Sequence, residues 1–147
     1  MLGRTHLSCK PFHFSCLLFS DTEGFISGLG SGISATSFMR HQISTTLVEI
    51  DPAVYRAART FFGLPDPGPD KVFLEDARAW STKQRRSIEA GRKETLFDIV
   101  VHDCFSGGGV PQHIFTVEFW DDLKVTMQPE GILVVVRPFP LDLNNTR

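Results

Sequence analysis

Apolar and polar positions fall into two alternating patterns along this chain. Short continuous apolar runs at Gly24–Ser27, Thr45–Ile50, Lys71–Leu74, Leu96–His102 and Ile132–Val136 predict five strands. The first is short and poor for a buried strand, whereas Ile99-Val100-Val101 reads as fully buried. Between the runs the spacing turns helical. Ile33 to His41 predicts a first helix, and Asp51-Pro52 starts a second, with Asp51 as cap and Pro52 in the first turn. Val54, Ala57, Ala58, Phe61 and Phe62 mark its apolar face, and Gly63 ends it. Ala77 to Trp80 begins a short third helix. Thr116 caps a fourth through Met127, with Val117, Trp120, Leu123 and Met127 on one face and Asp121 and Asp122 outside. Pro129-Glu130-Gly131 reads as a turn before the last strand.

Strands alternating with helices predict an α/β chain, a Rossmann-like open sheet, mostly parallel, with helices on both faces. One domain spans 24–136. Residues 1–23 show no period and read as a poorly ordered segment, and 137–147 as a tail. The strongly polar stretch Ser81–Glu94 mixes Lys83, Arg85, Arg86, Arg92 and Lys93 with Glu89 and Glu94, which suits a solvated helix better than an anion patch.

Composition narrows the partners. A length of 147 residues and 41% hydrophobic content suit one globular domain. A net charge of −2 supplies no strong pull toward nucleic acid or an anionic membrane. The three cysteines, Cys9, Cys16 and Cys104, form no C-x-x-C pair or disulfide frame, so a reducing, cytoplasmic setting is expected. The apolar run Pro11–Phe19 is too short to span a bilayer.

The candidate chemistry collects at the strand ends. Gly28-Leu29-Gly30-Ser31-Gly32 follows strand one, and Glu49 lies near the end of strand two, about 20 residues on. Glycines let backbone approach a ligand, and an acid at that spacing can accept from ribose hydroxyls. The pattern is G-x-G-x-G, with Ile33 where a dinucleotide fingerprint needs its last small residue. That favours an adenosyl-methionine-like nucleoside over a pyrophosphate. Asp76 with the backbone of Ala77 would meet the adenine edge, and Asp103 would stand nearest the reacting centre as a proton acceptor. The plainer reading of each acid is a helix cap or surface residue. What speaks against it is convergence: all four features fall on one rim of such a sheet, where ligands bind. His102 and His113 read as element-end residues, and no metal-ligand spacing occurs. Cys104 has no base pattern beside it.

The ordered series Gly28–Gly32, Val48-Glu49-Ile50-Asp51, Glu75-Asp76-Ala77, Phe97-Asp98-Ile99-Val100, Asp103, Phe119-Trp120 and Pro129-Glu130-Gly131-Ile132-Leu133 resembles the spermidine/spermine synthase family. The resemblance covers about Gly24 to Val136. It implies an aminopropyltransferase on the class I methyltransferase fold, using decarboxylated S-adenosylmethionine and a polyamine acceptor. It assigns Glu49 to ribose, Asp76 to adenine and Asp103 to the acceptor amine. The chain departs from the family at Ser31, where synthases tend to carry an acid, and at Ser106, where they carry a second acid of the acceptor site. It also lacks counterparts of the N-terminal hairpin and of the strands after strand five, so it reads as a truncated chain or a misassigned gene. An open sheet edge of that kind invites association, and a homodimer is one form of it. Two other readings stay open: a methyltransferase using S-adenosylmethionine itself, and a non-catalytic remnant that binds nucleoside.

Overall fold

The computed structural model describes residues 21–92, 94–105 and 109–136. The sequence readings of 1–20, of Ser106 and of 137–147 lie outside these residues. Five strands form one parallel sheet: β1 (Glu23–Ser27), β2 (Ser44–Val48), β3 (Val72–Phe73), β4 (Phe97–His102) and β5 (Met127–Val135), in the order β3-β2-β1-β4-β5. The helices are α1 (Ile33–Arg40), α2 (Pro52–Phe61), α3 (Ala77–Glu89) and α4 (Val117–Val125), with a short 3-10 turn at Gln112–Ile114 before α4.

Alternation along the central strands builds a core on each face. Phe25, Val48 and Val100 point to one side and, with Phe97 before the register irregularity of the β4–β5 pair, pack with Ala77 and Trp80 of α3 and with Phe119 and Leu123 of α4. Phe25 stacks on Trp80 with ring centroids 4.5 Å apart. Ile26, Leu47 and Val101 point to the other side and pack with Ala35 of α1, Ala58 of α2 and Leu64. The expected open α/β sheet with helices on both faces is the fold observed.

The thin first strand is the middle of the sheet. Its Gly24 is a packing requirement, since a Cβ there would lie 2.6 Å from the Phe38 ring and 2.9 Å from Ile43. Glu23 closes the strand's start, accepting from Lys71 at 2.9 Å, while its N–H donates to Asp98 at 2.8 Å.

Three local readings are corrected. First, α4 stops at Val125, because Thr126 donates its hydroxyl to the Leu123 carbonyl at 2.7 Å and Met127 already pairs with Phe97. Its buried face is Phe119 and Leu123, whereas Val117 is 71% exposed. Asp122 faces α3, accepting from Thr82 and Arg85 at 2.6 and 3.1 Å. Second, Pro129-Glu130-Gly131 lies within β5, where the register jumps from Phe97↔Met127 to Ile99↔Ile132; the turn residues form an irregular insertion in one strand. Third, Phe61 and Phe62 of the expected α2 face are solvent-exposed, and Ala58 is that helix's buried contact. β5 ends the sheet, and Ile132 to Val136 stay exposed along it.

Candidate functional site

Chain order reverses direction across the sheet at β1, whose neighbours are β2 and β4. In such sheets the loops leaving the two central strands turn to opposite faces and leave a crevice at their carboxyl ends. A cleft of about 920 Å³ lies there. The tips of four strands line it: Gly28, Leu29, Gly30 and Ser31 after β1, Glu49 to Asp51 after β2, Glu75 to Ala77 after β3, and Asp103 to Phe105 after β4. Its far wall is Gly109, Val110, Pro111, His113 and Ile114. The structure therefore brings Gly28, Gly30, Glu49, Asp76, Ala77 and Asp103 together. Gly32 stands behind the wall as the cap of α1, where a Cβ would lie 3.0 Å from Leu64.

Gly28 has φ 84°, and a Cβ on it would fall 2.1 Å from the Asp103 carbonyl oxygen. The first glycine thus lets the β1 and β4 tips cross. Asp103 donates its N–H to Ser27 at 2.8 Å, and Gly28 donates to Val48 at 3.0 Å, so three strand tips are laced by backbone bonds. Around Gly30 nothing lies within 4 Å of a Cβ position; there the backbone faces the open cleft.

Glu49 is buried, 7% exposed, yet its carboxylate reaches the cleft. One oxygen accepts from the Leu29 N–H at 2.8 Å and the other from the Asp51 N–H at 2.8 Å. It pins the glycine turn to the β2 tip, a role that sequence reasoning missed. Each oxygen keeps a further lone pair for a donor in the cleft. Beside it Ile50, 64% exposed, offers an apolar surface suited to the face of a base.

Asp76 is both a helix cap and a rim residue. One oxygen accepts from the Ala79 N–H at 3.0 Å, and the other lies 2.8 Å from Nε2 of His113. Burial works to raise this carboxyl, but the bonds from His113 and Ala79 outweigh it and hold it below the ordinary carboxylate range. Glu75 beside it pairs with Lys83. Asp103 is half-buried, and its carboxylate makes no side-chain hydrogen bond among the described residues.

Beneath the β4 tip lies a polar chain that the sequence did not disclose. Ser27 Oγ is 3.2 Å from His102 Nδ1 and 3.2 Å from Cys104 Sγ. His102 is fully buried among Phe115, Phe119 and Trp120, with ring centroids 5.0 to 5.2 Å away, and burial pulls its pKa down to about 4. Burial pushes the Cys104 thiol up to about 11, against a small opposing effect of the Ser27 bond. Among the described residues no group of three or more His, Cys, Asp or Glu side chains is arranged to hold a metal ion. None of their helices is long and apolar enough to cross a membrane.

Fold and rim together define a domain of the class I methyltransferase type, its open end lined by carboxylates. Solved structures agree on the fold. Human methyltransferase-like protein 13, in complex with SAH, superposes with a TM-score of 0.65 at 21% identity, over 76% of this chain and 52% of that one. A spermidine synthase in complex with the transition-state analogue AdoDATO superposes with a TM-score of 0.60 at 20% identity, over 85% and 40%. In sequence, the chain is 33% identical over 114 residues to the N-terminal histidine N-methyltransferase of Emericella nidulans, covering 78% of this chain and 19% of that protein. It is 32% identical over 111 residues to the polyamine aminopropyltransferase of Vibrio vulnificus, covering 74% and 35%. No family model matches the chain. Over the matched span the chain is similar in sequence both to polyamine aminopropyltransferases and to this histidine N-methyltransferase. It spans well under half the length of these relatives.

Proposed function

We propose that this domain binds decarboxylated S-adenosylmethionine in the cleft and transfers its aminopropyl group to a polyamine. The observation that carries the reading is the convergence of Glu49, Asp76 and Asp103 on one cleft from three strand tips. Glu49 would hold the ribose hydroxyls with its free lone pairs. Asp76 and the Ala77 backbone would meet the adenine edge. Asp103, whose carboxylate is not committed elsewhere among the described residues, would take a proton from the acceptor ammonium. The freed nitrogen lone pair then attacks the aminopropyl carbon bound to the sulfonium. A C–N bond forms, the C–S bond breaks, and its electron pair stays on sulfur, releasing neutral methylthioadenosine. The reading includes a small-molecule polyamine as acceptor and a cytoplasmic setting.

Methyl transfer from S-adenosylmethionine is the second reading, favoured by the 33% identity to a histidine N-methyltransferase. Calorimetry separates the alternatives. The purified chain is titrated with methylthioadenosine, decarboxylated S-adenosylmethionine and S-adenosylmethionine, with NAD as control. The proposal expects the decarboxylated form to bind and turn over, and Glu49→Ala to weaken nucleoside binding at least a hundredfold, about 3 kcal/mol. Asp103→Asn should abolish turnover while leaving methylthioadenosine affinity within about threefold. Preference for the carboxylated cofactor would transfer the assignment to methylation. Binding without turnover in the unmutated chain would identify a non-catalytic remnant.

A further inference from the structure

The Asp76–His113 pair joins the two walls of the cleft. Asp76 caps α3 at the β3 tip, and His113 sits 37 residues away in the 3-10 turn before α4. The turn is held independently of this bond. Arg78 donates one guanidinium nitrogen to the His113 carbonyl at 3.0 Å and to the Thr116 hydroxyl at 2.9 Å, and Ile114 is buried in the core. The His113 ring is half-exposed at the cleft wall and meets the carboxylate at 2.8 Å.

From this geometry we propose that His113 is a positioning residue for nucleobase selection, acting through Asp76. The inference rests on the nucleoside reading of the cleft. An ionised carboxylate only accepts hydrogen bonds, so it can receive the exocyclic amino group of a 6-aminopurine and is repelled by the carbonyl of a 6-oxopurine. A protonated carboxyl can satisfy either. Asp76 is partly buried, which by itself favours the protonated form. The imidazole N–H offsets that burial. It also fixes the Oδ2 edge, while the Ala79 N–H fixes Oδ1, so the remaining lone pairs point in set directions. An ionised Asp76 in turn requires the proton of a neutral His113 to sit on Nε2.

The test is a ratio. Affinities of the full chain for methylthioadenosine and methylthioinosine are measured by calorimetry in the unmutated protein, His113→Ala and His113→Gln, with thermal melting as a check on folding. The proposal expects a clear preference for the amino base. His113→Ala should cut that preference about tenfold, the scale of a hydrogen bond to a charged group. His113→Gln, whose amide can still donate to Asp76, should restore most of it. A merely structural role would weaken both ligands equally and leave the ratio unchanged, and that result overturns the inference while the nucleoside cleft stands. If the unmutated, folded chain binds neither nucleoside, the cleft reading fails and this inference with it.

Discussion

The two halves of the cleft rim are built by different means. On the β1/β2 side, Glu49 accepts backbone N–H bonds from Leu29 and Asp51, and Gly28 donates its own to Val48. Backbone and a buried carboxylate set the geometry, and few rotamers are left to choose. On the β4 side the backbone bond from Asp103 to Ser27 is joined by side-chain support: Ser27 between His102 and Cys104, and aromatic rings packed around the imidazole. The difference teaches where rigidity is placed. The half proposed to hold the nucleoside is preorganised by the main chain, which costs little to order on binding. The half suited to chemistry leaves one carboxylate, Asp103, uncommitted beside a buried polar chain.

The largest predicted effect lies where the halves cross. Gly28→Ala places a methyl group 2.1 Å from the Asp103 carbonyl and forces φ 84° on a residue with a Cβ. Overpacking against backbone and left-handed strain together should cost about 3 kcal/mol or more. Gly30→Ala, two residues on, meets nothing within 4 Å at φ 53°, so about 1 kcal/mol of backbone strain is all it should lose. Urea unfolding of the two variants gives the comparison directly. Equal losses would show that the β1 and β4 tips are not interlocked.

The residues of the rim were legible in the sequence, but the means by which each half is held were not. The strand-tip acids and the glycine turn could be placed because they are local: each sits at a fixed offset from an apolar run. Asp51 was read as a helix cap, and its side chain does accept from Ala53 at 2.7 Å. Asp76 could be read either as a cap or as a site residue, and the structure makes it a cap that also faces the cleft. What stayed hidden depends on pairs distant in sequence. Ser27 and His102 are 75 residues apart, and His113 and Asp76 are 37. The face of α4 was misread for a related reason: Val117 and Phe119 are both apolar, and only the position of α3 decides which is covered. The irregular register of β5 follows from pairing with β4, which no local pattern of Pro129-Glu130-Gly131 reveals.

A second prediction concerns the support of the β4 half. His102 is held neutral, with a folded pKa near 4 against about 6.5 when free. Between those values the unfolded chain binds more protons than the folded one, so stability rises with pH there. It should be fully present at neutral pH and fall by about 2 kcal/mol between pH 7 and pH 5, approaching about 3 kcal/mol near pH 4. His102→Phe keeps an aromatic ring among Phe115, Phe119 and Trp120 and has nothing to protonate. Urea midpoints measured from pH 7 to pH 4 should therefore show a flatter acid limb in the variant. An unchanged limb would assign the acid loss to other groups.

The smallest expected effect is kinetic and tests whether the β4 half hides a second reactive group. Cys104 lines the cleft next to Asp103, where a thiolate would compete with an amine as nucleophile. Burial pushes its pKa to about 11 from the usual 9.0, and the charges of Glu49, Asp103 and Asp76 push the same way. Two pH units mean about a hundredfold less thiolate at pH 8 than in a free cysteine, and the thiolate is the species that reacts. Alkylation by iodoacetamide, followed by peptide mass spectrometry that resolves Cys104 from Cys9 and Cys16, should run about a hundredfold slower in the folded chain than in urea. A rate near that of the unfolded chain would mean that burial does not hold the thiol protonated, and the β4 tip would then carry two nucleophiles. A slow rate would mean that the thiol does not compete with the acceptor amine, and would leave the carboxylate of Asp103 as the β4-tip group proposed to accept that amine's proton.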